Sequence, residues 1–293
     1  MTQRRYLQLD VFADRPGAGN PLAVVLDADG LDDAAMQAIA RWTRLPETTF
    51  VFPPSQAGAS YRIRMFSPRR EVPFAGHPSV GTACVVLEAG LATPVDGVLV
   101  QEGVAGLLPL SVTGEGESRT IAVRTPRARV VETASATDPR LADTLRNLSL
   151  GALPPALMDG GRRWWLAELR DEAALRAASP DWAAIGALAE STESMGLCAF
   201  ARADAGQDYD LVVRAFVGAP AQFEDAASGA ANATLAAWLN HNGALPGRDG
   251  RYTVSQGREV GFDARLELRV DGDGEVWSGG RVSNVVRGSI DWR

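Results

Sequence analysis

The pattern of apolar positions is most distinctive between residues 78 and 87, where a helix-length run has almost no polar face. A second apolar run with helical spacing stops at Gly243, as the first stops at Gly90. Glycine is a common residue just past the end of a helix. Because a helix that is apolar on all sides has to be enclosed by other elements, the sequence predicts two buried helices.

Strand signals fill much of the remaining chain as short runs rich in branched and aromatic residues. The runs are YLQLDVF, PLAVVL, TTFVF, YRIRMF, TIAVR, RRWWLAEL, LVVRAF, RLELRV and VSNVVR. We interpret the segment at 112–130 as the crossover between two halves of the chain. Its GEGES stretch is predicted to be a turn, because no helix pattern follows it.

The two halves resemble each other when the sequence is shifted by 148 positions. DAAMQAIARWTRLPETTFVF then falls on DWAAIGALAESTESMGLCAF, and HPSVGTA (77–83) falls on DAASGAA (225–231), which places Gly81 on Gly229. The order of features agrees better than the residues do. Each half has an amphipathic helix, an apolar strand, a strand ending in Arg-x-Phe, a loop and an apolar helix.

This order predicts an α/β (α+β) fold with two similar lobes, each a strongly curved mixed sheet wrapped around its central apolar helix. The N-terminal lobe is expected at 1–125 and the C-terminal lobe at 126–280. A final strand at about 281–293 is free to return to the first lobe, although the sequence alone does not show that it does.

The composition narrows the possible functions. With 46% hydrophobic and 22% charged residues among 293, the chain is expected to be a packed globular protein. Its net charge of -7 argues against nucleic acid and against an anionic membrane surface as partners. Neither a signal peptide nor an apolar run long enough to span a membrane is recognised, so a cytoplasmic protein is expected.

Cofactor chemistry is restricted by the absence of lysine, since all 29 basic residues are arginine. A Schiff base needs a lysine amine, which excludes enzymes that depend on pyridoxal phosphate. Cys84 and Cys198 lie in apolar stretches and are expected to be core residues. His77 and His241 lie far apart with no ligand spacing around either, so no zinc or other metal site is expected.

The starts of the two apolar helices are the strongest candidates for a site. A helix N-terminus leaves backbone N–H groups unpaired and carries a partial positive charge. One start reads Gly76-His77-Pro78, and the other runs from Glu224-Asp225-Ala226 to Ser228-Gly229-Ala230. If the two ends face each other across a cleft between the lobes, they form an anion site suited to a carboxylate.

Each candidate residue also has a simpler interpretation. Asp225 is a common type of helix N-cap, and His77 is equally suited to satisfying a nearby carbonyl group. Glu47 in LPETTF follows a proline and has the pattern of a solvated loop charge, while Asn20 in GAGNPL fits a turn. The residues by themselves leave these alternatives open.

Several stretches resemble the PhzF-like isomerases, a family named for phenazine biosynthesis. They are DVFADRPGAGNPLAVVLDADGL, AIARWTRLPETTFVFPP, FSPRREVPFAGHPSVGTA, QFEDAASGAANATLAAWL and QGREVG, which span nearly the whole chain in the family's order. The resemblance implies the fold of diaminopimelate epimerase, an active site between the lobes, a homodimer, and isomerisation of a small carboxylate-bearing substrate by acid/base catalysis without a cofactor.

Position by position, the resemblance implies catalytic roles for Glu47, His77 and Asp225. Glu47 would take a proton from an acidic carbon and return one elsewhere, while His77 and Asp225 would assist proton movement or substrate placement. Backbone N–H groups at Gly76 and Gly229 would hold the substrate carboxylate. The full set of expected substrate-binding positions is Asn20, Gly76, Ser79, Ser228, Gly229 and Ala230.

The second helix start departs from the family's usual Glu-Asp-Pro-Ala-Thr-Gly-Ser-Ala. Ala226 replaces the proline, Ser228 the threonine and Ala230 the serine, so one hydroxyl that could orient substrate is missing. The segment after QG also departs at 261–264. These changes make the phenazine precursor a doubtful substrate, and they leave a non-catalytic carboxylate-binding protein as the alternative function.

A racemase that uses two cysteines is a further alternative with the same fold. Such an enzyme needs a thiol at each helix start, one to remove the proton and the other to supply one from the opposite face. Cys84 lies about two turns inside its helix and Cys198 in a strand, so this alternative is disfavoured.

Overall fold

A computed structural model describes residues 2–135 and 137–292 of the chain. The chain divides into two compact units. Unit 1 contains the residues up to Arg124 together with those from Gly279 onward, and unit 2 contains Thr125–Ser278. Each unit is built from a mixed sheet and a small number of helices.

The elements of the two units follow each other along the chain. The strands are β1 (Thr2–Val11), β2 (Asn20–Val25), β3 (Glu47–Phe52), β4 (Tyr61–Phe66), β5 (Glu71–Val72), β6 (Val98–Gly103), β7 (Gly106–Thr113), β8 (Thr120–Arg124), β9 (Arg129–Thr133), β10 (Ala156–Asp159), β11 (Arg163–Glu168), β12 (Gly196–Arg202), β13 (Leu211–Val217), β14 (Phe223–Asp225), β15 (Arg251–Gln256), β16 (Ala264–Val270), β17 (Val276–Gly280) and β18 (Val282–Trp292). The α-helices are α1 (Asp33–Thr43), α2 (Gly76–Glu88), α3 (Ala142–Leu145), α4 (Glu172–Ala177), α5 (Trp182–Thr192) and α6 (Gly229–His241).

In unit 1 the sheet has the order β18-β1-β2-β3-β4-β6-β7-β8, with the short β5 also paired to β4. Only the β2/β3 and β4/β6 pairs are parallel. The apolar helix α2 packs against β1, β2, β3, β6, β8 and β18, so the sheet encloses it. Gly81 makes this possible, because a Cβ there would lie 2.5 Å from Leu22 and 2.7 Å from Val11.

In unit 2 the order is β9-β10-β11-β12-β13-β15-β16, with the short β14 also paired to β13. The parallel pairs are β11/β12 and β13/β15, which repeats the arrangement of unit 1. Here the apolar helix is α6, which packs against β9, β10, β11 and β16. Both units therefore bury an apolar helix against a mixed sheet, as the hydrophobic pattern predicts.

The internal repeat is present, but its register differs from the predicted shift of 148. The N-cap residues of α1 and α5, Asp32 and Asp181, lie 149 positions apart. The first residues of α2 and α6, Gly76 and Gly229, lie 153 positions apart, and both helices have 13 residues. The prediction that Gly81 corresponds to Gly229 is therefore wrong, since Gly76 occupies the matching position.

The segment at 112–130 is not a simple crossover between the halves. It contains the end of β7, a 3-10 turn at Gly116–Ser118, all of β8 and the start of β9. Strands β7 and β8 form an antiparallel hairpin within unit 1. At the other end of the chain, β18 pairs antiparallel with β1, which answers the question that the sequence left open.

Candidate active site

Three elements of unit 1 bring Glu47, His77 and Asn20 to the same region. Strands β2 and β3 are parallel with Leu22 opposite Glu47, so the N-terminal ends of both strands lie side by side. Asn20 is the first residue of β2 and is 3% exposed. His77 is the second residue of α2, and its Nε2 atom lies 3.4 Å from Oε2 of Glu47.

The hydrogen bonding of His77 fixes the state of its ring. A ring N–H donates to the backbone carbonyl of Pro21. Because Nε2 is buried and makes no hydrogen bond, the donor is Nδ1, and Nε2 carries a lone pair. Burial lowers the pKa of His77 to about 3, although the bond to Pro21 acts in the opposite direction. His77 is therefore a neutral imidazole whose lone pair lies beside the Glu47 carboxyl group.

A series of buried, hydrogen-bonded side chains stabilises the start of α2. Its N-cap residue Ala75 provides no side-chain cap, and the hydroxyl of Ser79 donates to the Ala75 carbonyl at 3.0 Å. Gln101 Nε2 donates to the Ser79 hydroxyl at 3.2 Å, and Tyr61 donates to the Gln101 side chain at 3.3 Å. Ser79 is completely buried, so in this structure its hydroxyl holds the helix start, and its contact with substrate stays a prediction.

Unit 2 places Asp225 at the end of β14, four residues before the first residue of α6. The half-buried carboxyl group accepts from the backbone N–H of Ala227 at 3.3 Å and from the Ser228 side chain. Burial raises the pKa of Asp225 above its usual range, while these hydrogen bonds and the charge of Arg162 act in the opposite direction. A carboxyl group in this environment is suited to holding a proton.

The start of α6 is held by the same kind of polar chain as the start of α2. Ser228 is the N-cap, and its hydroxyl accepts from Ala231 N at 3.4 Å. The Nδ2 atom of Asn232 donates to Ser228 O at 2.9 Å and to Gln256 Oε1 at 2.8 Å. Gln256 Oε1 also accepts a hydrogen bond from Ser228 N at 3.2 Å, and Gln256 Nε2 donates to Asp225 O at 2.9 Å. One amide side chain thus fixes both the strand end and the helix start.

The turn after Gln256 depends on a glycine. Gly257 has a φ of +96°, which a residue with a side chain rarely adopts. A Cβ at this position would also collide with the carbonyl oxygen of Ala226. The QG pair in the sequence therefore has a physical role, because it lets β15 approach the loop that carries Asp225.

The structure groups the predicted site residues by unit. Unit 1 brings together Asn20, Glu47, Gly76 and His77 around the start of α2. Unit 2 brings together Asp225, Ser228, Gly229 and Ala230 around the start of α6. Sequence reasoning missed Pro21, whose backbone carbonyl accepts a hydrogen bond from His77. It also missed Gln256, a strand residue whose side chain binds the loop that carries Asp225 and Ser228. The only signal for Gln256 was the QG pair.

The register of the repeat also corrects the relation between His77 and Asp225. The predicted alignment placed them at matching positions. Because Gly76 matches Gly229, the counterpart of His77 is Ala230, and the counterpart of Asp225 is Val72 on β5. The two helix starts therefore carry different ionisable groups at different positions.

Neither thiol lies at the start of a helix. Cys84 is 6% exposed in the third turn of α2, and Cys198 is fully buried in β12. Burial raises the pKa of each thiol to about 12. Within residues 2–135 and 137–292, no group of His, Cys, Asp and Glu is placed to hold a metal ion. In the same part of the chain, no helix has the length and apolar character needed to cross a membrane.

Comparison with known proteins decides the family. The pattern of the phenazine biosynthesis-like protein family, PhzC-PhzF, matches residues 9–286. The chain belongs to this family. Among the relatives of this PhzC-PhzF member, a trans-2,3-dihydro-3-hydroxyanthranilate isomerase from Pseudomonas aeruginosa is 33% identical over 294 residues, which cover 95% of each chain. Antisense-enhancing sequence 1 from Schizosaccharomyces pombe is 31% identical over 296 residues, covering 98% of this chain and 99% of its own.

A solved structure shows the same fold. The PhzF-family phenazine biosynthesis protein of Bacillus anthracis superposes with a TM-score of 0.85, covering 99% of this chain and 100% of that one at 24% identity. The predicted fold class and the resemblance to the PhzF family are both confirmed. Named isomerases among the relatives indicate that this PhzC-PhzF member is an isomerase.

Proposed function

We propose that the protein is a cofactor-independent isomerase that moves a proton on a small carboxylate-bearing substrate by acid/base catalysis. The observation that carries the proposal is the pair formed by Glu47 and His77. An ionised Glu47 and a His77 that carries its proton on Nδ1 present two acceptor atoms to each other at 3.4 Å. The pair therefore has a place for one additional proton, which the substrate would supply.

In this mechanism Glu47 removes the proton, and the lone pair of His77 stabilises the protonated carboxyl group by accepting a hydrogen bond from it. The same proton can then be returned to another carbon of the substrate. Backbone N–H groups at Gly76 and Gly229 would hold the substrate carboxylate, since the first N–H groups of a helix have no acceptor within the helix. They would also favour the negative charge that develops when the proton leaves. Asp225, with its raised pKa, would serve as a second proton-holding group on the same substrate.

The test is proton exchange between substrate and solvent. The protein is incubated in D₂O with trans-2,3-dihydro-3-hydroxyanthranilate and with a panel of other small carboxylic acids, and deuterium incorporation is followed by NMR and mass spectrometry. We expect incorporation into at least one acid. Glu47→Gln should reduce it by about 10²-fold or more, as expected for loss of a general base. Glu117→Gln, which changes an exposed acid of the same unit, is the control.

Two results would contradict the proposal. An acid that binds without any exchange would favour the alternative of a non-catalytic carboxylate-binding protein. The substitution of Ala230 for the family's serine is the observation that keeps this alternative in view. Exchange at the parent rate in Glu47→Gln would show that another group removes the proton.

The proposal includes a cytoplasmic homodimer, as the family resemblance implies. The exposed Val285 and Val286 on β18 are apolar positions that an association between copies could cover. Sedimentation velocity on the parent and on Val285→Ser/Val286→Ser tests this, and a parent that sediments as a monomer would contradict it. Fractionation of cells that produce the protein tests the compartment.

A further inference from the structure

The two units share an arginine–glutamate pair immediately before each apolar helix. In unit 2, Nε and Nη2 of Arg214 donate to the two carboxylate oxygens of Glu224 at 2.9 and 2.8 Å. In unit 1, the same atoms of Arg64 donate to those of Glu71 at 2.6 and 2.7 Å. Each glutamate lies five residues before the first residue of its helix. A two-pronged contact of this kind fixes orientation as well as distance.

In unit 2 the strand register connects this pair to Asp225. Strand β14 pairs antiparallel with β13, with Phe216 opposite Glu224 and Ala215 opposite Asp225. Because side chains alternate along a strand, Arg214, Phe216 and Glu224 share one face of the sheet. Asp225 lies on the opposite face. Holding Glu224 to Arg214 therefore prevents the short β14 from rotating and sets the face on which Asp225 lies.

Arg214 is itself fully anchored. Its Nη1 atom donates to the carbonyl oxygens of Leu175 and Ala178 at 3.1 and 2.6 Å, at the C-terminal end of α4. The guanidinium carbon lies 4.9 Å from the centre of the Phe216 ring. The side chains of Arg214 and Glu224 are only 6% and 4% exposed. This side chain thus connects α4, β13 and β14 in a fixed arrangement.

We propose that Arg214 and Glu224 are positioning residues that hold Asp225 in place for the proton transfer. The inference rests on the role given to Asp225 in the proposed function. A second contact that fixes Asp225 comes from Gln256 on β15, whose side chain donates to the backbone carbonyl of Asp225. A strand of only three residues has few backbone hydrogen bonds of its own, so these two side-chain contacts add substantially to its pairing with β13.

Unit 1 shows why the pair acts through position and not through its own chemistry. In unit 1 the position that matches Asp225 is Val72 on β5, which lies opposite Met65. The Arg64–Glu71 pair is present there as well. The pair therefore occurs both with and without a carboxyl group on the next residue. What the two units share is the path of the chain from the short strand to the helix start.

The test compares two double variants of unit 2. Arg214→Met/Glu224→Met removes the pair without leaving a buried charge, since replacing both partners by apolar groups is tolerated better than removing one. Arg269→Met/Asp271→Asn removes another partly buried pair, with side chains 25% and 39% exposed, at the end of β16 that lies away from Gln256. Arg214→Lys, which keeps the charge but loses the two-pronged contact, is the milder variant if the double variant does not fold.

The main measurement does not depend on activity. The pKa of Asp225 is determined by NMR with ¹³C-labelled aspartate, and its signal is assigned by its absence from Asp225→Asn. We expect this pKa, and the pH profile of deuterium exchange, to change in Arg214→Met/Glu224→Met and in Arg214→Lys. The exchange rate should fall about 10- to 100-fold in the double variant, because small displacements of catalytic groups have effects of this size. In Arg269→Met/Asp271→Asn both the pKa and the pH profile should match the parent.

The outcomes separate this inference from the proposed function. If the Asp225 pKa in both Arg214 variants equals that of the parent, the pair does not position Asp225, whatever the activity. If that pKa changes but no acid exchanges with the parent protein, the positioning stands and the proposed function fails. Equal changes in both double variants would show a general effect of destabilisation and would also overturn the inference.

Discussion

The Nε2 atom of His77 and the Oε2 atom of Glu47 lie 3.4 Å apart without a hydrogen bond between them. The ring faces the carboxyl group with a lone pair, because its only N–H is given to the carbonyl of Pro21. This relationship is the basis of the proposed chemistry, and it makes the protonation of His77 a direct test.

We predict that His77 remains neutral throughout the pH range in which an ordinary histidine titrates. Burial lowers its pKa to about 3 from the usual 6.5, so between these values the unfolded state binds more protons than the folded state. The free energy of unfolding should therefore rise with pH from about 3 to 6.5, by at most ~1.4 kcal/mol per pH unit from this group. His77→Asn should remove that part of the pH dependence.

The measurement is simple because the chain contains only two histidines. NMR of ¹⁵N-histidine-labelled protein gives the two rings separately, and the exposed His241 serves as the internal comparison. A His77 signal that titrates near pH 6.5 would contradict the neutral assignment.

Replacing Asp225 should separate stability from activity. Since its pKa is raised by burial, the stability it contributes at low pH is lost as the pH rises through the raised pKa. Asp225→Asn removes the charge, so at pH 7 we expect a melting temperature higher than that of the parent. The gain should be absent at pH 3, and deuterium exchange should fall at least about tenfold.

The control for this prediction is Asp204→Asn, which changes an exposed aspartate of the same unit. It should alter neither the melting temperature nor the exchange rate. If Asp225→Asn lowers the melting temperature at pH 7, the hydrogen bonds of the carboxylate outweigh its burial, and the assignment of a raised pKa is wrong.

The two cysteines should be inert in the folded protein. Burial raises both thiol pKa values to about 12, so almost no thiolate exists at neutral pH. Iodoacetamide should leave Cys84 and Cys198 unmodified until denaturant is added, as measured by mass spectrometry. Cys84→Ala and Cys198→Ala should retain the parent exchange rate. Loss of exchange after alkylation of the native protein would revive the racemase that uses two cysteines.

Adding a hydroxyl at the start of α6 should improve proton exchange of a bound carboxylic acid. Ala230 is half-buried at the second position of the helix, where a serine hydroxyl could donate to a bound substrate. A new hydrogen bond contributes about 0.5–1.5 kcal/mol, so Ala230→Ser should raise the rate of deuterium exchange of an acid that the hydroxyl contacts about 2- to 10-fold. Ala233→Ser, placed one turn further into the helix, is the control. No gain in Ala230→Ser would show that this position does not contact the acid.

The fold could largely be predicted because its strongest signals are local. An apolar helix such as α2 and strands such as VVRAF are recognisable from periodicity and branched residues alone. The short strands β5 and β14 could not be predicted, since two or three residues become a strand only through pairing with β4 or β13. The register of the repeat was missed because the loop between Phe216 and Glu224 is three residues longer than the loop between Phe66 and Glu71.

The candidate site was predictable only in part. Glu47, His77 and Asp225 were found through the family resemblance, since each has an ordinary explanation as an isolated residue. Gln256 gave no comparable signal, because its role depends on the strand that carries it lying beside the loop at 225–228. The Arg-x-Phe endings were visible in the sequence, but their glutamate partners could be assigned only from the strand pairing.

The register of the repeat has a consequence for how the chain can be altered. At one pair of matching positions unit 1 has Val72 and unit 2 has Asp225. Five residues further on, unit 1 has His77 and unit 2 has Ala230. The two similar units thus carry their ionisable groups at different positions along the same path from short strand to helix. A chimera carrying unit 1 twice would gain a second imidazole and lose the strand acid, so neither half can replace the other.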